Sequence, residues 1–100
     1  MQETSSLDTL EIIKSSDGPV LVDFWAEWCA TCKQMLPVLE EVDEVEDVTI
    51  LKVNVEENSE LVQAFGIQAI PTIILFEDGE ESGRIMGAVS TDTLTEFILG

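Results

Sequence analysis

The sequence predicts an α/β fold: a central mixed β-sheet flanked by helices on both faces, in one domain covering residues 1–100. Three observations carry this. Val20–Trp25 is an apolar run of strand length, with apolar residues on both faces as in a buried parallel strand. A helical pattern opens just beyond it, with Leu36, Leu39, Val42 and Val45 at helical spacing. Further on, Thr72–Phe76, the turn Glu77-Asp78-Gly79-Glu80 and the returning segment Glu81–Gly87 read as a β-hairpin.

The elements follow in order. Residues 1–5 are polar and short. Ser5 or Ser6 is a candidate N-cap for a first helix ending near Ser15, with Leu7, Leu10, Ile12 and Ile13 on its apolar face. Ser16-Asp17-Gly18-Pro19 is a turn into the first long strand. The main helix runs from Thr31 or Cys32 to about Glu46, and Pro37 inside it predicts a kink rather than a break. Its far end is crowded with acids, from Glu40 to Asp47, which oppose the helix dipole and read as a solvated face. Val48–Val55 is a second strand. A short helix over Ser59–Phe65 ends at Gly66 in a left-handed cap. Ser90 opens a last helix, with Leu94, Phe97, Ile98 and Leu99 on its buried side.

Composition narrows the function. With 21 acids against four bases the formal net charge is −17, which argues against nucleic acid and against an anionic membrane surface. The first ten residues have neither a basic nor an apolar leader, and no apolar run approaches a membrane span, so a soluble, cytoplasmic protein is expected. No second large apolar patch is evident, so a monomer is the expectation. The chain has two cysteines and no histidine, too few ligands to close a tetrahedral zinc site, so no metal or other cofactor is expected. A structural disulfide across so short a ring would stabilise little. Redox chemistry is what remains for Cys29-Ala30-Thr31-Cys32.

Thiol–disulfide exchange needs one sulfur present as thiolate and a second thiol near enough to release the mixed disulfide. Cys29 sits where the strand gives way to a helix, whose unpaired N–H groups favour negative charge. Cys32 lies one turn further in. Cys29 is therefore the expected nucleophile and Cys32 the resolving thiol. Asp23, between Val22 and Phe24 in a buried strand, is costly to ionise, and its pKa should be raised. It is a candidate general base for Cys32, with Lys52 as its partner. The plainer alternatives are an Asp23 facing a polar edge and a Lys52 that snorkels from an edge strand. Ile70-Pro71-Thr72 precedes a strand, and a cis bond at Ile70-Pro71 would present the Ile70 backbone to an extended substrate.

With these residues in place the chain resembles the thioredoxin family over nearly its whole length. The matching segments are VLVDFWAEWC at 20–29, Cys29-x-x-Cys32-Lys33, Pro37, Lys52 with Asn54, FGI at 65–67, IPT at 70–72, Phe76, Gly79 and MGA at 86–88. The resemblance implies the thioredoxin fold and a protein-disulfide reductase or dithiol electron carrier. Its redox group would be a reversible Cys29–Cys32 disulfide, and its partners a thioredoxin reductase and disulfide-containing client proteins. By the same resemblance Asp23 assists proton transfer beside Lys52. The substrate-contact surface maps to Trp28, Ala30, Thr31, Ala69, Ile70, Pro71, Met86, Gly87 and Ala88. Two other readings of such a fold are a disulfide oxidase or isomerase and a redox-inert binding scaffold.

The chain departs from the family in two places. The family usually begins with an edge strand, whereas Gln2–Ser5 is short and polar. A very short or missing strand is expected, leaving Val48–Val55 partly at an edge. The family also usually has Gly-Pro between the cysteines, where this chain has Ala30-Thr31. Proline suits the first turn of a helix and stiffens it, while Thr31 restores an N–H donor and adds a hydroxyl within range of a sulfur. The pair tunes the balance of dithiol and disulfide, in which about 30 mV corresponds to 1.4 kcal/mol. The Ala-Thr protein should be less reducing than its A30G/T31P variant when both are titrated against glutathione. A more negative potential for the Ala-Thr protein would refute this.

Overall fold

The apolar run Val20–Trp25 forms the middle of the sheet because both of its faces can be covered. A computed structural model describes all residues, 1–100. It contains β1 (Gln2–Glu3), α1 (Ser6–Ser15), β2 (Val20–Trp25), α2 (Ala30–Val45), β3 (Thr49–Asn54), α3 (Ser59–Ala64), β4 (Thr72–Glu77), β5 (Glu80–Met86) and α4 (Thr91–Leu99). The strands form one five-stranded sheet in the order β1-β3-β2-β4-β5. β2 runs parallel to β3 and antiparallel to β4, so the sheet is mixed.

Alternate residues of the strands serve the two faces. Val20, Val22 and Phe24 join Leu51, Val53, Ile74 and Phe76 on one face, where Ile13 of α1 and Leu61 of α3 cover them. Phe65 fills that layer, stacking edge-on against Phe76 at 5.3 Å between ring centroids. Leu21, Ile50, Ile73 and Leu75 lie on the other face, under Met35, Leu39 and Val42 of α2 and Leu94 and Ile98 of α4. Asp23 belongs to this second face and is the one carboxylate among the buried residues.

Local signals fixed most boundaries. Ser5 caps α1 by accepting the Asp8 N–H at 3.3 Å, and Ser90 caps α4 by accepting that of Thr93 at 3.1 Å. The hairpin turns at Asp78 and Gly79, both at positive φ, as a tight two-residue β-turn requires. The helix α2 runs unbroken through Pro37.

Three helical faces differ from the sequence reading. Leu7 and Leu10 of α1 are exposed, and the residues turned inward are Thr9 and Ile13, with Ile12 partly covered. Thr9 can be buried because its hydroxyl donates to the Ser5 carbonyl at 2.6 Å and meets the Thr4 hydroxyl at 2.7 Å. In α2 the buried stripe is Cys32, Met35, Leu39 and Val42, whereas Leu36 and Val45 point outward. In α4 Leu99 is exposed. Each of these helices rests on one side of a sheet, so its buried stripe is narrower than its apolar composition.

The N-terminal strand is present but only two residues long. Gln2 and Glu3 pair with Leu51 and Lys52, and the Thr4 N–H adds one bond to the Lys52 carbonyl. The N–H groups of Thr49 and Val55 point the other way, to the carbonyls of Pro19 and Trp25. By strand alternation Ile50 and Asn54 turn their N–H groups toward the short edge. Hydrogen exchange across β3 should therefore be uneven, slow at Leu51 and Val53 and fast at Ile50 and Asn54. Uniformly slow exchange matching Val20–Trp25 would mean that the edge is covered.

Candidate active site

The site is built at the end of β2. The strand ends at Trp25, and the Cys29 N–H then bonds the Ala26 carbonyl at 3.2 Å, closing a turn. The helix α2 begins at Ala30 with Cys29 as its N-cap residue in extended conformation, φ −89 and ψ 106. The usual N-cap acceptor is an oxygen. Here it is sulfur: Cys29 Sγ accepts the Cys32 N–H at 3.2 Å. One of the otherwise unpaired N–H groups of the helix start is thus directed at the Cys29 sulfur.

Both cysteines are free thiols. They form a small buried cluster with Ala26, against which Trp25, Val55 and Ile70 pack. Cys29 is 8% exposed and Cys32 5%, so both sulfurs are buried and nearly equally so. Burial, reinforced by the hydrogen bond with Cys29, pushes the Cys32 thiol well above the ordinary thiol range. Such a thiol stays protonated at neutral pH unless a base takes its proton. Thr31 is exposed, and its hydroxyl bonds neither sulfur, contrary to the possibility raised by the sequence. The donor to Cys29 is the backbone of Cys32 itself.

Asp23 is 1% exposed, and its Oδ1 has no hydrogen-bond partner. Burial raises its pKa to about 7, against the lowering pull of Lys52 and with a smaller upward push from Glu3. Its charge in turn adds to the upward shift of Cys32. Lys52 is opposite Asp23 across β2 and β3, but the two make no direct ion pair. Its ammonium lies instead 4.2 Å from the centre of the Trp25 ring, in a cation–π contact. Lys52 thus acts on Asp23 through its field, from a place on the Trp25 ring. Trp25, Glu27, Cys32, Lys33, Leu36 and Lys52 line a cleft of about 430 Å³ at this point.

The surface around Cys29 is assembled from distant parts of the chain. The Ile70-Pro71 bond is cis, as expected. The Ile70 carbonyl lies 4.0 Å from Cys29 Sγ, and the Ile70 N–H donates to no other group of the protein. The Thr72 hydroxyl holds the loop by bonding the Ala69 carbonyl at 2.6 Å, and the Gly87 N–H holds it by bonding the Pro71 carbonyl at 2.9 Å. Trp28, Ala69, Met86 and Ala88 are exposed, Ile70 and Gly87 are half-buried, and Pro71 is buried. Gly87 has φ 89, a conformation that a side chain would strain. Ala30 is exposed in the first turn of α2.

An apolar groove of about 200 Å³ extends this surface between Trp28, Val55, Val62, Ile67, Ala69 and Ile70. Val55, Val62 and Ile67 were not anticipated as site residues. Their sequence signals were an apolar residue at a strand end, one on the short helix, and Ile67 in the matching FGI segment. Glu3 was also not anticipated, although its carboxylate accepts the Trp25 indole N–H at 3.1 Å.

No helix is long and apolar enough to cross a membrane. A family model described as Thioredoxin matches residues 3–99. A thioredoxin of Rickettsia bellii is 44% identical over 90 residues, covering 88% of this chain and 85% of its own. A thioredoxin of Rhodospirillum rubrum is 37% identical over 100 residues, covering 98% and 96%. Among solved structures, a mutant thioredoxin from Halobacterium salinarum superposes with a TM-score of 0.90 at 33% identity, covering 98% of this chain and 86% of that one. Thioredoxin from Malassezia sympodialis gives 0.87 at 34% identity, covering 99% and 88%.

The raised pKa of Asp23 makes stability depend on pH. The folded state binds this proton more tightly than the unfolded chain, in which the group titrates near its ordinary value of about 3.9. The stabilisation is complete below pH ~4 and is lost as pH rises toward ~7, with no further change from this group above that. Asp23→Asn cannot ionise. Denaturant unfolding at pH 8 should show it more stable than the parent by up to about 4 kcal/mol, with the gap vanishing near pH 4.

Proposed function

The chain belongs to the thioredoxin family and is a thiol–disulfide oxidoreductase, and from that premise we propose the following division of labour among its residues. The observation that carries it is a buried carboxylate titrating near neutrality beneath two free thiols, one of them held as a helix N-cap. Cys29 attacks one sulfur of a client disulfide, forming a mixed disulfide and expelling the second client sulfur as a thiolate, which takes up a proton. Asp23 then accepts the proton of Cys32. The Cys32 thiolate attacks Cys29 Sγ and expels the first client sulfur. The products are a client dithiol and a Cys29–Cys32 disulfide, so two electrons have moved and no external cofactor takes part.

A pKa of about 7 suits Asp23 to both directions. The group is ionised often enough to take the proton and protonated often enough to return it when a reductase recharges the site. Lys52, held on Trp25, moderates that pKa without neutralising the carboxylate. The client segment lies extended against Ile70, whose free N–H and whose carbonyl beside Cys29 offer strand-like hydrogen bonds. Trp28, Ala30, Thr31, Ala69, Pro71, Met86, Gly87 and Ala88 frame it.

Residues 1–100 act as a single domain and as a monomer in the cytoplasm, with disulfide-containing proteins as clients and a thioredoxin reductase as electron donor. No observation favours the oxidase, isomerase or inert-scaffold readings over this one. Dithiothreitol reduction of an interchain disulfide substrate should run faster with the protein present. Cys29→Ser should abolish the acceleration, and Cys32→Ser should accumulate a mixed disulfide visible on non-reducing gels. An unaccelerated reaction with no trapped adduct would overturn the proposal.

A further inference from the structure

Glu3, Lys52 and Asp23 form a row across three strands. Glu3 is the register partner of Lys52 across β1 and β3, and Lys52 is the partner of Asp23 across β3 and β2. The backbone position of Lys52 therefore stands between those of two acids. The Lys52 ammonium meets neither carboxylate in a direct ion pair and rests on the Trp25 ring at 4.2 Å. The ring is itself tethered, since its N–H donates to Glu3 at 3.1 Å. We propose that Glu3 is a positioning residue: by anchoring the Trp25 indole, it keeps the Lys52 ammonium on the ring face and out of contact with Asp23.

The physical argument compares two places for one cation. A lysine beside a buried carboxylate with an unpartnered oxygen would ordinarily close on it, because the pair would be strong where water is excluded. The half-buried face of the Trp25 ring offers the cation a competing site. The Glu3 carboxylate strengthens that site twice, by fixing the ring and by drawing the cation toward the β1 side. The two-residue strand β1 therefore has a use out of proportion to its length, for it delivers Glu3. The other charged or titratable groups around Asp23 are Cys32 with Cys29 at the start of α2, and Glu27 and Lys33 on the cleft shared with Cys32 and Lys52.

Removing the Glu3 charge acts on Asp23 in one direction. It deletes a negative neighbour and frees Lys52 to approach, and both favour the ionised carboxylate. The consequence for turnover rests on the reading of Asp23 as the base for Cys32, whereas the placement of Lys52 does not.

The test follows the Asp23 carboxyl carbon by ¹³C NMR titration of the reduced full-length protein. Glu3→Ala removes both the acceptor for the indole N–H and the charge, and leaves the backbone pairing of β1 with β3 in place. Its Asp23 midpoint should fall by roughly half a pH unit or more. In a Lys52→Met background the same substitution should move the midpoint clearly less. An unmoved or raised midpoint overturns the proposal. An equal shift in both backgrounds also overturns it, because Glu3 would then act by its own charge and not through Lys52. The base role is tested separately, by whether Asp23→Asn abolishes the pH dependence of mixed-disulfide resolution. If it does not, that reading fails while the titration still decides the role of Glu3.

Discussion

A carboxylate sits in the middle of a β-strand where water cannot reach it, and the architecture around the site is arranged with respect to that fact. Asp23 lies between Val22 and Phe24, yet its side chain shares a face with Leu21 and Ile73 and not with its chain neighbours. Its Oδ1 is unpartnered. A fully paired acid in this place would stay ionised, and a fully isolated one would stay protonated. The structure holds it between these limits by placing a lysine near enough to be felt and too far to bond.

That balance gives the two sulfurs different chemistry although they are nearly equally buried. Cys29 takes the N-cap position and receives a backbone N–H. Cys32 is inside the first turn, gives up that N–H and is pushed up by its surroundings. The asymmetry lies in the N–H that Cys29 receives and in the burial that raises the Cys32 thiol. One sulfur is served by the helix start, and the other lies within the field of the Asp23 carboxylate.

The sheet order brings together what the chain keeps apart. Because β4 pairs with β2, the loop carrying Ile70 and Pro71 arrives beside Cys29. Because β5 pairs with β4, Met86 and Gly87 arrive beside that loop, and the Gly87 N–H ties them to Pro71. Because β3 lies on the other side of β2, Lys52 is carried to the Asp23 flank, and β1 brings Glu3 against it. The two cysteines thus lie at the junction, with the Ile70-Pro71 loop and Met86–Gly87 on one side and the Asp23, Lys52 and Glu3 row on the other.

Sequence alone determined whatever depends on local chemistry. The Cys-x-x-Cys at a strand-to-helix junction, the acid inside an apolar run, the serine caps and the Asp78-Gly79 turn all state their roles within a few residues, because helix starts and tight turns are decided by nearby groups. Only the tertiary structure decided which side of each helix faces the sheet, and so that Leu7, Leu36, Val45 and Leu99 are exposed while Thr9 is buried. It alone placed the Lys52 ammonium on an indole ring and joined Glu3 to that ring across 22 residues of sequence. A charged side chain chooses among partners by distance and desolvation, and neither quantity exists until the strands are side by side.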